Sequence, residues 1–119
     1  MPVIRAALPI VVDVIIVVTF ATVGMFNHDS NHSLLNLGAI AWPFLVGLAV
    51  GWIAAIWNGL RGLRVWPGGL VIVVVTYGIG MAFRAVSGRG LEAGFLVFSA
   101  CFFVVTMLGW RGIWQLIRR

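Results

Sequence analysis

The sequence predicts an all-α integral membrane protein: a four-helix bundle with up-down-up-down topology and both termini in the cytoplasm. Hydrophobic residues make up 62% of its 119 residues, and only 9% are charged. The mean hydropathy of +1.12 lies outside the range of water-soluble domains. Three acidic side chains and eight arginines are too few to form the polar shell of a soluble fold, so lipid must cover much of the surface.

Four apolar stretches approach or exceed the roughly 20 residues that a helix needs to cross a bilayer. These stretches are residues 7–26, 35–57, 67–86 and 91–110. The segments between them are short, so consecutive helices must be antiparallel neighbours within a single transmembrane domain, residues 1–119. The first stretch is too long for the apolar region of a signal peptide, and we therefore expect it to be retained as the first span.

The arginines predict the orientation of the bundle, because basic residues concentrate in cytoplasmic loops. Six of them fall on one side and two on the other: Arg5, Arg61, Arg64, Arg111, Arg118 and Arg119 against Arg84 and Arg89. The larger group predicts that both termini lie in the cytoplasm, and we expect the protein in the plasma membrane. Since these charges lie between apolar runs, we expect contact with the lipid bilayer and no nucleic-acid partner.

Two Trp-Pro pairs are predicted to open helices. Proline fits the first turn of a helix and tryptophan favours the headgroup region, so Trp42-Pro43 is expected to open the second span and Trp66-Pro67 the third. In the alternative, Pro43 lies deeper and kinks its helix. With Trp66, the remaining tryptophans near the predicted cytoplasmic ends are expected to form an aromatic belt: Trp52, Trp57, Trp110 and Trp114.

Asp13 is the first candidate functional residue. It lies about 8 Å along the helix axis from the cytoplasmic end of the first span, where an unpaired carboxylate is costly. It must therefore face the bundle and either pair with a cation or carry a proton. Antiparallel packing brings Arg111 to a similar depth, with Arg61 and Arg64 as other partners. An ion pair that joins helices and a site for proton- or cation-coupled transport are both open interpretations.

Polar residues share one face of the third span. Thr76 and Arg84 lie on one helical stripe, and Tyr77 lies on the adjacent one. We expect this face to line the interior of the bundle. Arg84 is about one turn from the outer end, where it could pair with Glu92 or Asp29, extend outward to water, or bind an anion.

Three glycines are predicted to lie at helix contacts. Gly47 and Gly51 form a Gly-x-x-x-Gly pair in the second span, and Gly80 lies on the polar face of the third. Small residues let membrane helices approach closely. The Gly47 and Gly51 pair could serve a contact inside the bundle or a contact between copies in a homo-oligomer.

The outer loop after the first span contains the one cluster of potential metal ligands. These residues are His28, Asp29 and His32. Their spacing fits zinc or copper weakly, and Ser30, Asn31 or Ser33 can equally cap the second helix. We therefore expect no metal and no cofactor. The sequence also lacks a serine-histidine-acid set and paired intramembrane acids, so no enzymatic activity is expected.

A set of short motifs distributed over all four spans carries a family resemblance. The residues are Asp13, Phe20-Ala21, Trp42-Pro43-Phe44, Thr76, Gly80-Met81, Arg84 and Leu108-Gly109-Trp110-Arg111. Together they resemble the domain of unknown function 3054 family of bacterial and archaeal proteins, over nearly the whole chain. The resemblance implies a four-span membrane protein and no assigned reaction.

The polar residues of the first and third spans favour a small transporter or channel component. It would use Asp13 and the face of Thr76 and Arg84 to move an unidentified ion or solute. Because so short a chain makes few self-contained pathways, we expect it to form a homo-oligomer. The alternative is a structural or accessory membrane subunit, in which Asp13, Arg84 and Arg111 hold the helices together.

Overall fold

The computed structural model describes residues 2–28, 33–59, 65–88 and 93–117, which are almost entirely helical and contain no strand. Helix α1 is Pro2–His28, α2 is Leu34–Trp57 and α3 is Leu70–Val86, which follows a π-helical segment, Val65–Gly69. The last stretch comprises α4 (Ala93–Phe103), a second π-helical segment (Val104–Leu108) and α5 (Gly109–Ile117).

These elements contain four helical stretches that are long and apolar enough to cross a membrane. They are Leu8–Phe26, Leu34–Trp57, Val65–Val86 and Ala93–Ile117. The predicted all-α membrane fold of four helices is therefore confirmed. The fourth stretch continues past its predicted end at residue 110, so Arg111 lies within a helix rather than beyond it. The side of the membrane on which the termini lie stays a prediction.

The second span begins at Leu34, next to its predicted start at residue 35, and not at Trp42-Pro43. Ser33 is its N-cap, and the Ser33 hydroxyl accepts a hydrogen bond of 3.1 Å from the Asn36 backbone N–H. Pro43 consequently lies inside α2, where it is fully buried. The prediction that Trp42-Pro43 opens the span is wrong, because the serine cap starts the helix upstream. Pro67 does lie at the beginning of the third span.

Helices α2 and α3 pack through an intramolecular glycine contact. A Cβ atom at Gly47 would lie 2.6 Å from the Thr76 carbonyl oxygen, and one at Gly51 would lie 3.1 Å from the Ile72 carbonyl oxygen. Residue numbers thus rise along α2 as they fall along α3, so the two helices are antiparallel. Only glycine permits this backbone approach, and both glycines serve a contact within the bundle.

Phenylalanine rings fill the space between the fourth span and the other helices. Phe20 of α1 is at the centre, with its ring centroid 4.7 Å from that of Phe103 and 5.2 Å from that of Phe44. Phe95, Phe98 and Phe102 surround it. The Phe44 ring lies directly against Gly80, where a Cβ atom would collide with it. Met107, one turn after Phe103, extends this core along the fourth span.

Candidate functional site

The Asp13 carboxylate is the centre of the site, and both of its oxygens are saturated with donors. Oδ1 accepts hydrogen bonds of 3.0 Å from Arg111 Nη1 and 3.0 Å from Trp110 Nε1. Oδ2 accepts hydrogen bonds of 2.5 Å from Arg111 Nη2 and 2.8 Å from Trp52 Nε1. The donors come from the second and fourth spans, so one carboxylate joins three helices.

Arg111 approaches Asp13 with the two-pronged geometry that guanidinium and carboxylate groups share. Its Nη1 atom also donates a hydrogen bond of 3.1 Å to the Met107 carbonyl oxygen, one turn earlier in the fourth span. The Arg111 Cζ atom lies 4.7 Å from the Trp110 ring centroid and 5.8 Å from that of Trp52. The indoles therefore contact both members of the ion pair, the carboxylate through N–H groups and the guanidinium through their π faces.

The local sequence explains why these side chains point inward. Asp13, Val17 and Phe20 follow one another at helical spacing on the buried face of α1. Trp52 lies one turn beyond Leu48 on the buried face of α2. The apolar members of each stripe thus set the rotation of the helix, and the side chain that carries a polar group within the stripe faces inward with them.

The fourth span needs an irregularity to present Arg111 to Asp13. Its buried residues Ser99, Phe103, Met107 and Arg111 are spaced four apart. On a regular α-helix each such step advances by about 40°, which would move Arg111 about 120° around the axis from Ser99. The π-helical segment Val104–Leu108 has more residues per turn and cancels part of this drift. It keeps the arginine on the face that packs against α1.

Neither charged side chain reaches solvent or lipid, since Asp13 and Arg111 are both 0% exposed. Two ions in such a dry site are tolerated only with close pairing and hydrogen bonds to their remaining polar atoms. Removing one partner from such a buried pair typically costs about 3 to 5 kcal/mol, because the other charge is left uncompensated. The site is therefore an intact ion pair whose members depend on each other.

The third-span candidates lie elsewhere in the bundle. The Tyr77 hydroxyl donates a hydrogen bond of 3.0 Å to the Leu96 carbonyl oxygen, and Arg84 Cζ lies 3.8 Å from the Phe95 ring centroid. Both contacts join α3 to α4. Phe95 and Arg111 are separated by about 24 Å of helix rise, so Arg84 lies near the opposite end from Asp13. The structure does not bring these two candidates together.

Thr76 differs from the other polar residues of the third span in the state of its hydroxyl group. The side chain is 0% exposed, and within the part of the chain that the structure describes its Oγ1 atom has no hydrogen-bond partner. A threonine hydroxyl in a membrane helix commonly bonds to the carbonyl one turn earlier, as those of Thr19 and Thr22 do in α1. Thr76 is thus an unsatisfied polar group beside the glycine contact of α2 and α3.

Several predicted candidates fall outside the described residues. Arg61, Arg64, Asp29, His32 and Glu92 belong to segments that are not described, and His28 is described only as the last residue of α1. Among the described residues, no group of three or more histidine, cysteine, aspartate or glutamate side chains could hold a metal ion. The predicted pairing of Arg84 with Asp29 or Glu92 stays a prediction.

The two indole donors are the residues that sequence reasoning missed. Trp52 and Trp110 were expected in an aromatic belt, yet their N–H groups point at Asp13. In contrast, Trp57 and Trp66 are 86% and 69% exposed. The signal available in the sequence was depth, since Trp52 lies five residues before the end of the span Leu34–Trp57 and Asp13 lies five residues after the start of the span Leu8–Phe26. A buried carboxylate needs donors at its own depth.

In a comparison with protein families, residues 10–114 match the family described as "Protein of unknown function (DUF3054)". The matched range contains Asp13, Arg111 and both indole donors. No curated protein and no solved structure matches the chain significantly. Because the match covers nearly the whole chain and agrees with the resemblance of its motifs, the chain belongs to the DUF3054 family.

Proposed function

We propose that the protein is a non-catalytic structural or accessory membrane subunit. In this proposal the ion pair of Asp13 and Arg111 joins helices and does not transport an ion. The observation that supports this proposal is the saturation of the carboxylate. Its two oxygens accept four hydrogen bonds, and neither charged side chain is exposed. A carboxylate that accepts four hydrogen bonds is held in a fixed position.

Ion coupling would require a different environment for the carboxylate. A coupling acid must release and rebind its proton or cation, so it needs access to water and room for the ion. Binding of a proton or cation at Asp13 would also have to displace hydrogen-bond donors from the carboxylate oxygens, and each buried donor left without an acceptor costs about 1 to 3 kcal/mol. Each transport cycle would have to bear that cost, and this counts against Asp13 as the coupling site.

The other helix contacts favour the same interpretation. The ion pair joins α1, α2 and the fourth span, the glycine contact joins α2 to α3, and Tyr77 and Arg84 join α3 to α4. Every span is thereby held to its neighbours. Since Gly47 and Gly51 are used inside the bundle, a homo-oligomer would need another surface, and we propose the lipid bilayer as the principal partner.

We also propose cytoplasmic termini and a place in the plasma membrane. Because Arg111 is paired with Asp13, its positive charge is left out when the arginines on the two sides of the membrane are compared. Five arginines against two still favour the same orientation under the positive-inside rule.

Transport remains the second candidate, favoured by one observation. The buried Thr76 hydroxyl lacks a hydrogen-bond partner among the described residues, and it lies on the same face as Arg84. Unsatisfied buried polar groups are uncommon and can mark a position where water or a solute binds. In this candidate function an oligomer would move an ion or small solute past Thr76, and Asp13 would keep its structural role.

Flux measurements in proteoliposomes distinguish the two candidates. Purified wild type, Asp13→Asn and Thr76→Val would be reconstituted and tested for proton, monovalent cation and anion flux, with protein-free vesicles as the control. The structural proposal expects wild-type vesicles to match the control and Asp13→Asn to be less stable to unfolding. Flux above the control that disappears in Thr76→Val would support transport. Flux that disappears in a stably folded Asp13→Asn would overturn the proposed role of the ion pair.

A further inference from the structure

The N–H donors around Asp13 form a complete receptor for a carboxylate group. We propose that Arg111, Trp52 and Trp110 are a monocarboxylate-binding site whose occupant in this chain is the side chain of Asp13, and that this site binds a free monocarboxylate when the aspartate is removed. This inference goes beyond the structural role of the pair, because it concerns what the donors do without Asp13.

The geometry of the donors matches the two oxygens of a carboxylate group. Four N–H groups converge so that each carboxylate oxygen receives one from the guanidinium and one from an indole, at 2.5 to 3.0 Å. Arg111 supplies the positive charge, and the indoles supply neutral donors that require an acceptor. Chloride lacks two separate acceptor atoms, so it cannot satisfy all four donors as a planar carboxylate does.

Contacts that do not involve Asp13 hold these donors in position. The Met107 carbonyl oxygen accepts a hydrogen bond from Arg111 Nη1, and the Trp110 ring lies beneath the guanidinium. Trp52 is 8% exposed and packs within the main apolar core. A site that is organised by its surroundings keeps its shape when the occupant is removed, which lowers the cost of binding a replacement.

Substitution of Asp13 creates vacancies of known size. Alanine keeps the Cβ atom and removes only the carboxylate, so the vacancy in Asp13→Ala has the size of formate. Glycine also removes the Cβ atom, so the vacancy in Asp13→Gly has the size of acetate. In either variant a bound anion would restore both the four acceptor contacts and the charge balance of Arg111.

The test is chemical rescue of the full-length protein in detergent micelles. Thermal unfolding of Asp13→Ala and Asp13→Gly would be followed in sodium formate, sodium acetate and sodium chloride at equal ionic strength. We expect Tm to rise with the logarithm of the matching anion concentration, as it does for a ligand that binds only the folded state. The preference should invert, with formate the better ligand for Asp13→Ala and acetate the better one for Asp13→Gly.

Three controls define the source of any rescue. Asp13→Asn fills the vacancy and should not respond, and Asp13→Ala combined with Arg111→Gln lacks the charged donor and should not respond. Wild type should not respond either, because its tethered carboxylate is present at a very high effective concentration. If Asp13→Ala cannot be purified in chloride, it would be prepared in formate and then exchanged into chloride.

The outcomes separate this inference from the proposed function. The receptor proposal would be overturned if the variants are destabilised and their Tm is the same in formate, acetate and chloride. It would also be overturned if they cannot be purified even in formate. Either outcome would leave the structural role of the ion pair intact. Variants as stable as wild type would refute the structural role. An equal response to all three salts would indicate a general ionic effect and would also overturn the receptor.

Discussion

A double-mutant cycle that measures the coupling free energy between Asp13 and Arg111 tests the structure quantitatively. The perturbations are Asp13→Asn, Arg111→Met and the double variant, each in the full-length protein. Asparagine keeps the shape of aspartate, but its carbonyl oxygen can accept only two of the four hydrogen bonds, and its amide nitrogen faces the other two donors. Arg111→Met leaves a buried carboxylate with two indole donors.

The expected magnitude follows from the burial of the pair. Both side chains are 0% exposed, so each single substitution leaves an uncompensated charge and should lower the free energy of unfolding by about 3 to 5 kcal/mol. The double variant carries neither charge, and its asparagine carbonyl still accepts a hydrogen bond from one of the two indoles. Its cost should therefore be smaller than the sum of the single costs by about 3 kcal/mol.

The assay is reversible unfolding in mixed micelles, with secondary structure followed by far-ultraviolet circular dichroism. Tryptophan fluorescence would serve as a separate reading of the site, because Trp52 and Trp110 contact Asp13. Val14→Ala and Ile113→Ala, at exposed positions of the same two spans, provide a pair whose effects should add. Uncharged interhelical hydrogen bonds in membranes reach about 1.7 kcal/mol at most in such cycles. A coupling below that value would refute the reasoning.

Three further predictions concern single contacts, each measured by the same unfolding assay. Gly47→Ala should lower stability markedly, because its Cβ atom would lie 2.6 Å from a carbonyl oxygen, whereas Gly78→Ala meets open space and should be neutral or stabilising; equal effects would contradict the close packing of α2 and α3. Trp52→Phe should cost about 1 to 3 kcal/mol through the lost donor to Asp13 and shift the emission spectrum, while exposed Trp57→Phe should leave stability unchanged. Thr76→Val replaces an unsatisfied hydroxyl with a methyl group and should be neutral or stabilising, and a large loss of stability would reveal a partner for that hydroxyl.

Hydropathy and length were sufficient to predict four membrane helices, because lipid requires every spanning segment to be both apolar and internally hydrogen-bonded. Depth along the helix made Arg111 a candidate partner of Asp13, since a buried carboxylate needs a cation at its own depth, but it left Arg61 and Arg64 as alternatives. The prediction that Pro43 opens its helix is wrong, because tryptophan and proline together resemble a helix start. A serine upstream, with its cap on the Asn36 N–H, begins the helix instead.

The rotation of the fourth span was beyond prediction for a different reason. A spacing of four between Phe103, Met107 and Arg111 does not by itself define one face of a regular helix, and the π-helical segment that aligns these residues has no recognisable sequence signature. Without that rotation, Trp110 could not be assigned to the site. Tryptophan near a membrane surface also has an ordinary explanation in interfacial anchoring, which concealed the role of Trp52.

The buried ion pair contributes to this bundle mainly by fixing the axial position of the fourth span, and less by adding net stability. Lipid tails are as apolar as phenylalanine, so the rings around Phe20 gain little from facing one another rather than lipid. If the fourth span slid by one turn, about 5.4 Å, those rings could still find apolar neighbours. Such a slide would carry Arg111 beyond hydrogen-bonding distance of Asp13 and leave two charges unpaired in a dry interior. The ion pair therefore penalises the alternative packings that the aromatic core would tolerate, and it selects one arrangement of the fourth span against α1 and α2.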